Sequence, residues 1–397
     1  MIRILFVDDE PNVTQAMRRT MHCMKKEWDM EFVSSGPEAL QCLAGNPADV
    51  IVSDMRMPGM DGWQLLAEVK RLYPQTVRLV LSGYAEPGAI MRLVGTAHQY
   101  IAKPGESEVL KAAIAQTHLM RRLLSSDEIA LMVGNVGTLP SFPKAFQEIS
   151  SCLKQPSATV TEAARIIGRD VAMTANIMKL VNSAFFGARR HVTSVDRAVA
   201  FLGLDTLTAL VLGHGLFQSG GSNATEALWS HSWRTAIAAR AIALHERLPA
   251  PRVDEAFLTG MLHDVGRVVF ATRMSATGGT ELSSSADTIM RVDKHHAEVG
   301  AYLLGLWGFP SHIVAAVALH HTPSQRADTG FDLTAIVHVA DRLVHRELGV
   351  NLEAGEFGIE PGLLEPLGLA DHLPQWATAL DQLDVQHKAQ ERTEQNQ

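Results

Sequence analysis

The spacing of apolar residues changes once along the chain. Over about the first 123 residues, short apolar runs alternate with helical stretches of mixed polarity, the pattern of an α/β unit. IRILFVD reads as a buried strand and PNVTQAMRRTMHCMKK as a helix opened by Pro11. MEFVSS is a second strand followed by the helix GPEALQCLAG, and ADVIVSDM a third followed by GWQLLAEVKRLY. TVRLVLSG, AIMRLVGTA, HQYIAKP and SEVLKAAIAQTHLMRRLL complete five strand–helix pairs. Near-continuous runs such as VIVS and VRLVLS suit parallel strands covered on both faces. The expected fold is α/β plus all-α: a doubly wound five-stranded parallel sheet, then a helical domain.

After Leu124 the strand signals vanish. SSDEIALMVGNVGTLPSFP reads as a connector with a helical start, and from Pro143 nearly every segment has helical period. Turn-rich stretches at QSGGSNAT and SATGGTELSSSA interrupt the helices. The expected boundaries are 1–123 for the first domain, 124–133 for a linker, 134–347 for the helical domain, and 348–397 for a helical extension ending in a polar tail. NIMKLVNSAFFG carries an apolar stripe whose default reading is core packing.

Composition narrows the function. Apolar residues make up 46% of the 397, too many for a disordered chain. The net charge is −8 and no long basic block or basic helix-turn-helix appears, so direct DNA binding is not expected. The acidic start MIRILFVDDEP does not suit a signal peptide, and no apolar run reaches the roughly 20 residues of a membrane helix. Cys23, Cys42 and Cys152 lack metal-ligand spacing and read as thiols of a reduced cytoplasm.

The chemistry of the first domain collects where strands end. Asp8 and Asp9 follow the first strand, Asp54 ends the third, Ser82 the fourth and Lys103 the fifth. Open α/β sheets bind ligands at this carboxyl edge. Three carboxylates together call for a hard divalent cation, and oxygen ligands suit Mg²⁺. A lysine and a hydroxyl can neutralise an incoming phosphoryl group. Taken singly, Asp9 could simply cap the helix at Pro11 and MPGMDG could be only a turn; their joint placement favours a site.

LFVDDEP, VIVSDMRMPGMDGWQLL, LVLSGYAE and YIAKP together resemble the receiver domain of two-component response regulators, over about residues 1–123. The resemblance implies a flavodoxin-like sheet with Asp54 as phospho-acceptor. It implies Mg²⁺ held by Asp8, Asp9, Asp54 and the backbone carbonyl of Arg56, and phosphoryl contacts from Ser82 and Lys103. Tyr100 matches the aromatic residue that turns inward as Ser82 is drawn to the phosphate. A sensor histidine kinase is the implied phosphoryl donor, and the receiver face around Tyr100 is a place for a homodimer or for contact with the output domain.

Histidine is concentrated late, with 13 of 17 from His214 onward. His231, His263 with Asp264, His296, His320 with His321, and Asp341 form an ordered set. Imidazole with carboxylate suits Fe, Mn, Zn or Ni, although a lone histidine here is more often a bonded core residue. In order and context the set resembles the HD superfamily of metal phosphohydrolases, closest to those that degrade cyclic di-nucleotides. Two features depart: no Gly-Tyr-Pro follows the double histidine, and Arg267 stands at a phosphate-contacting position where that group usually has lysine.

LPSFPKAFQEISSCL, AARIIGRDVAMTANIMKLVNSAFFG and VTSVDRAVAFLGLDTLTALVLG extend the match upstream and resemble the HD-related output domain, HDOD, over about residues 134–347. That resemblance implies a signalling output without an established enzymatic activity. The expected function is a cytoplasmic response regulator, phosphorylated by a histidine kinase, whose helical domain acts as a scaffold for a downstream protein. The alternative is a receiver-controlled metal phosphodiesterase. His295, His338 and His345 carry no implied role and read as structural.

Overall fold

The computed structural model describes residues 1–82, 95–103, 107–123, 127–141, 143–183, 191–213, 223–276, 286–326, 330–347 and 358–380. Strands β1 (Ile2–Val7), β2 (Trp28–Val33), β3 (Val50–Asp54), β4 (Val77–Ser82) and β5 (Gln99–Ala102) form one parallel sheet in the order β2-β1-β3-β4-β5. All five residues of β3 are buried, as expected of a central strand covered on both sides. Helices α1 (Pro11–Thr20), α2 (Gly36–Gly45), α3 (Gly62–Leu72) and α4 (Ser107–Leu123) connect and flank the strands. The helix expected over AIMRLVGTA lies largely outside the described residues.

Two boundaries differ from the sequence reading. The first helix stops at Thr20, and a 3₁₀ turn at His22–Met24 replaces its expected end, with Met21 buried at the break. The second strand begins two residues early because Trp28 pairs with Ile2 and is itself buried. Exposed Asp29 hides that start from an apolar-run criterion.

The helical half contains α5 (Asp127–Gly134), α6 (Pro143–Leu153), α7 (Val160–Gly168), α8 (Val171–Val181), α9 (Val195–Thr208, bent at Gly203), α10 (Asn223–His245), α11 (Ala250–Leu262), α12 (Val265–Ala276), α13 (Ala286–Leu306), α14 (Ser311–Leu319) and α15 (Leu333–Glu347). The connector has the helical start expected of it, over Asp127–Gly134. Every residue of α8 is buried, in line with the core reading of NIMKLV. Asn176 there bonds both the N–H and the carbonyl of Leu139, tying down the chain entering the bundle. Among the described residues of the C-terminal extension, 358–380, two short 3₁₀ turns lead into a helix over 373–380.

One face of the sheet packs Leu5, Ile51 and Val80 against Leu43, Leu65 and Leu66 of α2 and α3. On the other face, Ile4, Phe6, Val52 and Leu79 join Ile114 of α4, and this core runs unbroken into the helical half through Ile129 and Val133. Gln116 Nε2 donates to Phe309 O (3.1 Å) and Gln99 Nε2 to Gly305 O (3.3 Å), fixing α4 and β5 beside the end of α13.

The tightest polar joint lies at the start of β4. Arg78 is fully buried; its guanidinium donates to the carbonyls of Thr96 (2.7 Å), Pro74 (3.2 Å), Thr76 (3.0 Å) and Gly134 (2.6 Å). His98 Nδ1 accepts from the Arg78 N–H (3.0 Å), so its proton sits on Nε2, which faces the same Gly134 carbonyl at 3.2 Å. The whole end of α5 is therefore hung on one arginine. Gly134 has room for no side chain there, since an added Cβ would lie 2.3 Å from Pro74 O.

Beside it, buried Lys179 donates to Gly137 O (2.9 Å) and lies 4.5 Å from the Trp307 ring centroid. Burial, then the nearby Lys70 and Arg78 charges, push its amine down to about 7. An unfolded lysine stays charged to about pH 10.4. Between about pH 7 and 10 the unfolded chain therefore binds more protons, and this group's cost, fully present below pH 7, fades as pH rises. The Tm of the wild type is expected to gain on that of Lys179→Met across this window in thermal melts. A difference that does not move with pH contradicts the assignment.

Candidate functional site

The first site forms at the carboxyl edge of the sheet. Asp8 and Asp9 follow β1, Asp54 ends β3, and Lys103 follows β5. Carboxylate oxygens of Asp8, Asp9 and Asp54 lie within 4.8 Å of one another. Lys103 Nζ bridges two of them, 2.6 Å from Asp8 Oδ2 and 2.8 Å from Asp54 Oδ1. Burial opposes its charge, but these two carboxylates outweigh that and hold the amine above its ordinary range. Asp8 Oδ1 also accepts from Glu10 N (3.0 Å).

The bland alternatives fare differently. Glu10, not Asp9, sits at the N-cap of α1, with no side-chain cap, so capping does not account for Asp9. In MPGMDG, Asp61 does cap α3: its Oδ1 accepts from Gln64 N (2.8 Å), and Gln64 Oε1 accepts from Asp61 N (3.1 Å). That cap presses Gly62 against the backbone of Asp54, where a Cβ would lie 2.1 Å from the carbonyl oxygen. The turn thus positions the Asp54 backbone. Ser82 ends β4 opposite Ala102, but its side chain lies outside the described residues. Tyr100 is packed inward, and its hydroxyl is buried without a hydrogen-bond partner. Arg56 is exposed just past β3.

The second site lies where six helices of the other half meet. His231 comes from α10, His263 and Asp264 from the corner between α11 and α12, and His296 from α13. His320 and His321 follow α14, and Asp341 is on α15. The glycines of GMLHDVG make the convergence possible. A Cβ on Gly260 would lie 2.8 Å from the Ala236 Cα on α10, and one on Gly266 would lie 2.0 Å from His296 O on α13. Any larger residue would push His231 and His296 away from the corner.

His263 and His320 are presented by one device. Each caps a helix C-terminus, where carbonyls lack intrahelical partners. His263 Nδ1 donates to Gly260 O and His320 Nδ1 to Val317 O, both at 2.7 Å. A carbonyl only accepts, so each ring keeps a proton on Nδ1 and turns its Nε2 into the site.

Asp264 divides the cluster. Its Oδ1 faces His296 Nε2 (3.0 Å) and His320 Nε2 (3.9 Å). Its Oδ2 faces His263 Nε2 (3.7 Å), His231 Nε2 (3.9 Å) and Arg267 Nε (3.0 Å). On the Oδ2 side, Asp341 Oδ1 lies 3.0 Å from His231 Nε2 and 3.6 Å from His263 Nε2. Asp264 Oδ1 and His320 Nε2 are both buried without hydrogen-bond partners. Leaving two such acceptors dry side by side is costly unless a cation sits between them. Burial opposes a proton on His263, yet Asp264 and Asp341 lift it to about 9, which shows how strongly the carboxylates favour positive charge there. His320 is driven well down by burial and by His321, leaving its imidazole neutral.

His321 meets the cluster at its edge, with a ligand atom within 4.8 Å of those of His296 and His320. Arg342 Nη2 lies 3.2 Å from its Nδ1 and can only donate. The His321 proton therefore sits on Nε2, pointing at His296 Nε2 (2.9 Å). The sequence reading also passed over His345, which belongs here. Its Nδ1 lies 2.9 Å from Asp341 Oδ1, and its ring packs 4.5 Å from that of His231. The i, i+4 spacing from Asp341 on α15 was the available signal. His338 is structural as expected, donating to His320 O and accepting from Glu360 N.

Comparisons with known proteins agree with this division. Residues 4–115 match the response regulator receiver domain, and residues 139–323 match the HDOD domain. The chain joins a response regulator receiver to an HDOD output half. An uncharacterized protein of Treponema pallidum is 28% identical over 203 residues, 48% of this chain and 39% of its own length. The hydrogenase transcriptional regulatory protein HoxA of Cupriavidus necator is 42% identical over 103 residues, 25% of this chain and 21% of its own length. The chain thus spans well under half the length of these curated relatives. The solved MmoQ response regulator from Methylococcus capsulatus is 24% identical, covers 61% of this chain and 98% of its own, and has a TM-score of 0.47. Receiver domains of this kind generally bind Mg²⁺, and the acidic trio fits that hard cation. In the HDOD half the buried imidazoles and carboxylates fit a softer first-row ion.

Proposed function

We propose that this chain is a phosphorylation-controlled response regulator in which Asp54 accepts a phosphoryl group from a sensor histidine kinase and the HDOD half carries the output through protein contacts. Support comes chiefly from Lys103, held between Asp8 and Asp54 at one end of the strands whose other end grips the HDOD half. In the transfer, an Asp54 carboxylate oxygen bonds to phosphorus while the P–N bond to the kinase histidine breaks, its electron pair returning to the ring nitrogen. Asp8, Asp9, Asp54 and the Arg56 carbonyl would hold Mg²⁺, which when bound offsets the charge on the phosphoryl oxygens. Lys103 leaves its Asp54 oxygen for a phosphoryl oxygen, and the Ser82 hydroxyl binds another. Tyr100, with its hydroxyl unsatisfied, lies on β5 between this edge and the joint at His98, so small strand shifts reach Gln99, Arg78 and the HDOD half.

A cytoplasmic setting belongs to the same proposal; among the described residues no helix is long and apolar enough to cross a membrane. A homodimer through the α4 face would compete with α13 for that surface. The test is labelling of the full chain with an acyl-phosphate donor and Mg²⁺. One phosphoryl group per chain is expected, falling to none in Asp54→Asn, because an amide oxygen is too poor a nucleophile. Undiminished labelling of that variant would remove Asp54 from the role.

A second reading is a receiver-controlled metal phosphohydrolase, favoured by the acceptor clusters on either side of Asp264. Metal ions bound there, whether Fe, Mn, Zn or Ni, would supply Lewis acidity. His231, His263, Asp264, His296, His320, His321 and Asp341 would hold them, and Arg267 would offer a guanidinium to phosphate. Hydrolysis of a cyclic di-nucleotide with added Mn²⁺ or Fe²⁺, lost on His263→Ala with Asp264→Ala, would establish this reading over the scaffold.

A further inference from the structure

A third cluster lies away from both sites, where the C-terminal segment crosses the end of α10. His245 Nδ1 and His372 Nδ1 point at one oxygen, Glu246 Oε1, at 2.9 and 2.8 Å. The Trp376 indole N–H donates to that oxygen as well (3.0 Å). The chain is held rigidly on both sides. After His245, α10 closes with Leu248 N donating to Ala243 O and Arg247 N to Leu244 O, the bonds of a Schellman cap. Arg247 takes the left-handed position usually given to glycine, at φ 54°. On the other side, Trp376 is buried and stacked on Phe331, with centroids 5.6 Å apart, which fixes His372 one helical turn earlier.

We propose that His245, Glu246 and His372 form a zinc site that ties the C-terminal segment to α10. Two imidazole nitrogens and one carboxylate oxygen, all within 4.8 Å of one another, make a borderline-soft donor set suited to Zn²⁺. Ligands about 2.0–2.1 Å from a tetrahedral ion lie roughly 3.3 Å apart, so each imidazole need retreat only about half an ångström from Glu246. Zinc replaces the protons that now fill those short contacts. The histidine side chains are each about one-third exposed, which leaves an entry path and a fourth position for water. The tie has a structural consequence, because α10 also carries His231.

The experiment is hydrogen exchange of the full chain with and without added zinc chloride, alongside calorimetric zinc titration. Zinc is expected to slow exchange across residues 365–380 at least tenfold. His372→Gln and His245→Gln, which keep size and polarity, should abolish that slowing and weaken this binding event about 100-fold or more, beyond what loss of an outer-shell partner costs. His263→Ala with Asp264→Ala should leave the slowing intact, separating this site from the HDOD cluster. Equal slowing in either glutamine variant, or none in the wild type, would overturn the proposal.

Discussion

On the metal-binding reading of the HDOD cluster, Asp264→Asn is expected to abolish metal binding there while leaving the helices in place. The amide has nearly the volume of the carboxylate but no charge, and one of its two ends is a donor. Whichever way it turns, both halves of the cluster lose the negative charge and one of them also loses its oxygen. The NH₂ then faces either His296 and His320 or His231 and His263. Purified without chelator, the wild type should carry first-row metal in elemental analysis, and the variant should bind added Mn²⁺ about 100-fold more weakly or worse. Zinc at Glu246 should be unaffected. Equal metal content and affinity in the variant would remove Asp264 from the ligand set, and no metal in the wild type would reduce the cluster to a network of core histidines.

Arg78→Ala is expected to have the largest effect on stability, on the order of 3–5 kcal/mol, the scale of leaving several buried carbonyls unsatisfied beside a new cavity. The carbonyls of Thr96, Thr76 and Gly134 would be left buried and under-satisfied, and a cavity would open at the joint. The loss falls where the two halves meet, so urea denaturation should show separate transitions for receiver and HDOD half in place of one. Arg78→Lys should not rescue it, since a single ammonium cannot span four carbonyls. A single transition at the wild-type midpoint in the alanine variant would contradict this view of the joint.

Much of the receiver was legible because its strands are buried on both faces and its chemistry falls at strand ends, both properties of local sequence. Asp8, Asp54 and Lys103 could be placed from those alone. The HDOD ligands were legible by order along the chain, and GMLHDVG proved to encode geometry as well: its glycines let α11 and α12 touch their neighbours, and its histidine caps a helix. What escaped depends on partners distant in sequence. Trp28 reads as loop until Ile2 is beside it. Arg78 looks like the polar member of a strand, yet it is a buried joint to a residue 56 positions away. His321 sits beside His320, but Arg342 from another helix sets its tautomer. The Glu246 cluster needs residues 126 and 130 positions apart to meet.

The most direct measurement of the central claim is hydrogen exchange of the intact chain before and after phosphorylation with an acyl-phosphate donor and Mg²⁺, in wild type and in Asp54→Asn. If Asp54 controls the HDOD half through β4 and β5, phosphorylation changes protection at residues 130–137 and 303–309, beside Arg78 and Gln99, in the wild type and not in the variant. Full phosphorylation of Asp54 with unchanged exchange in both segments would contradict it.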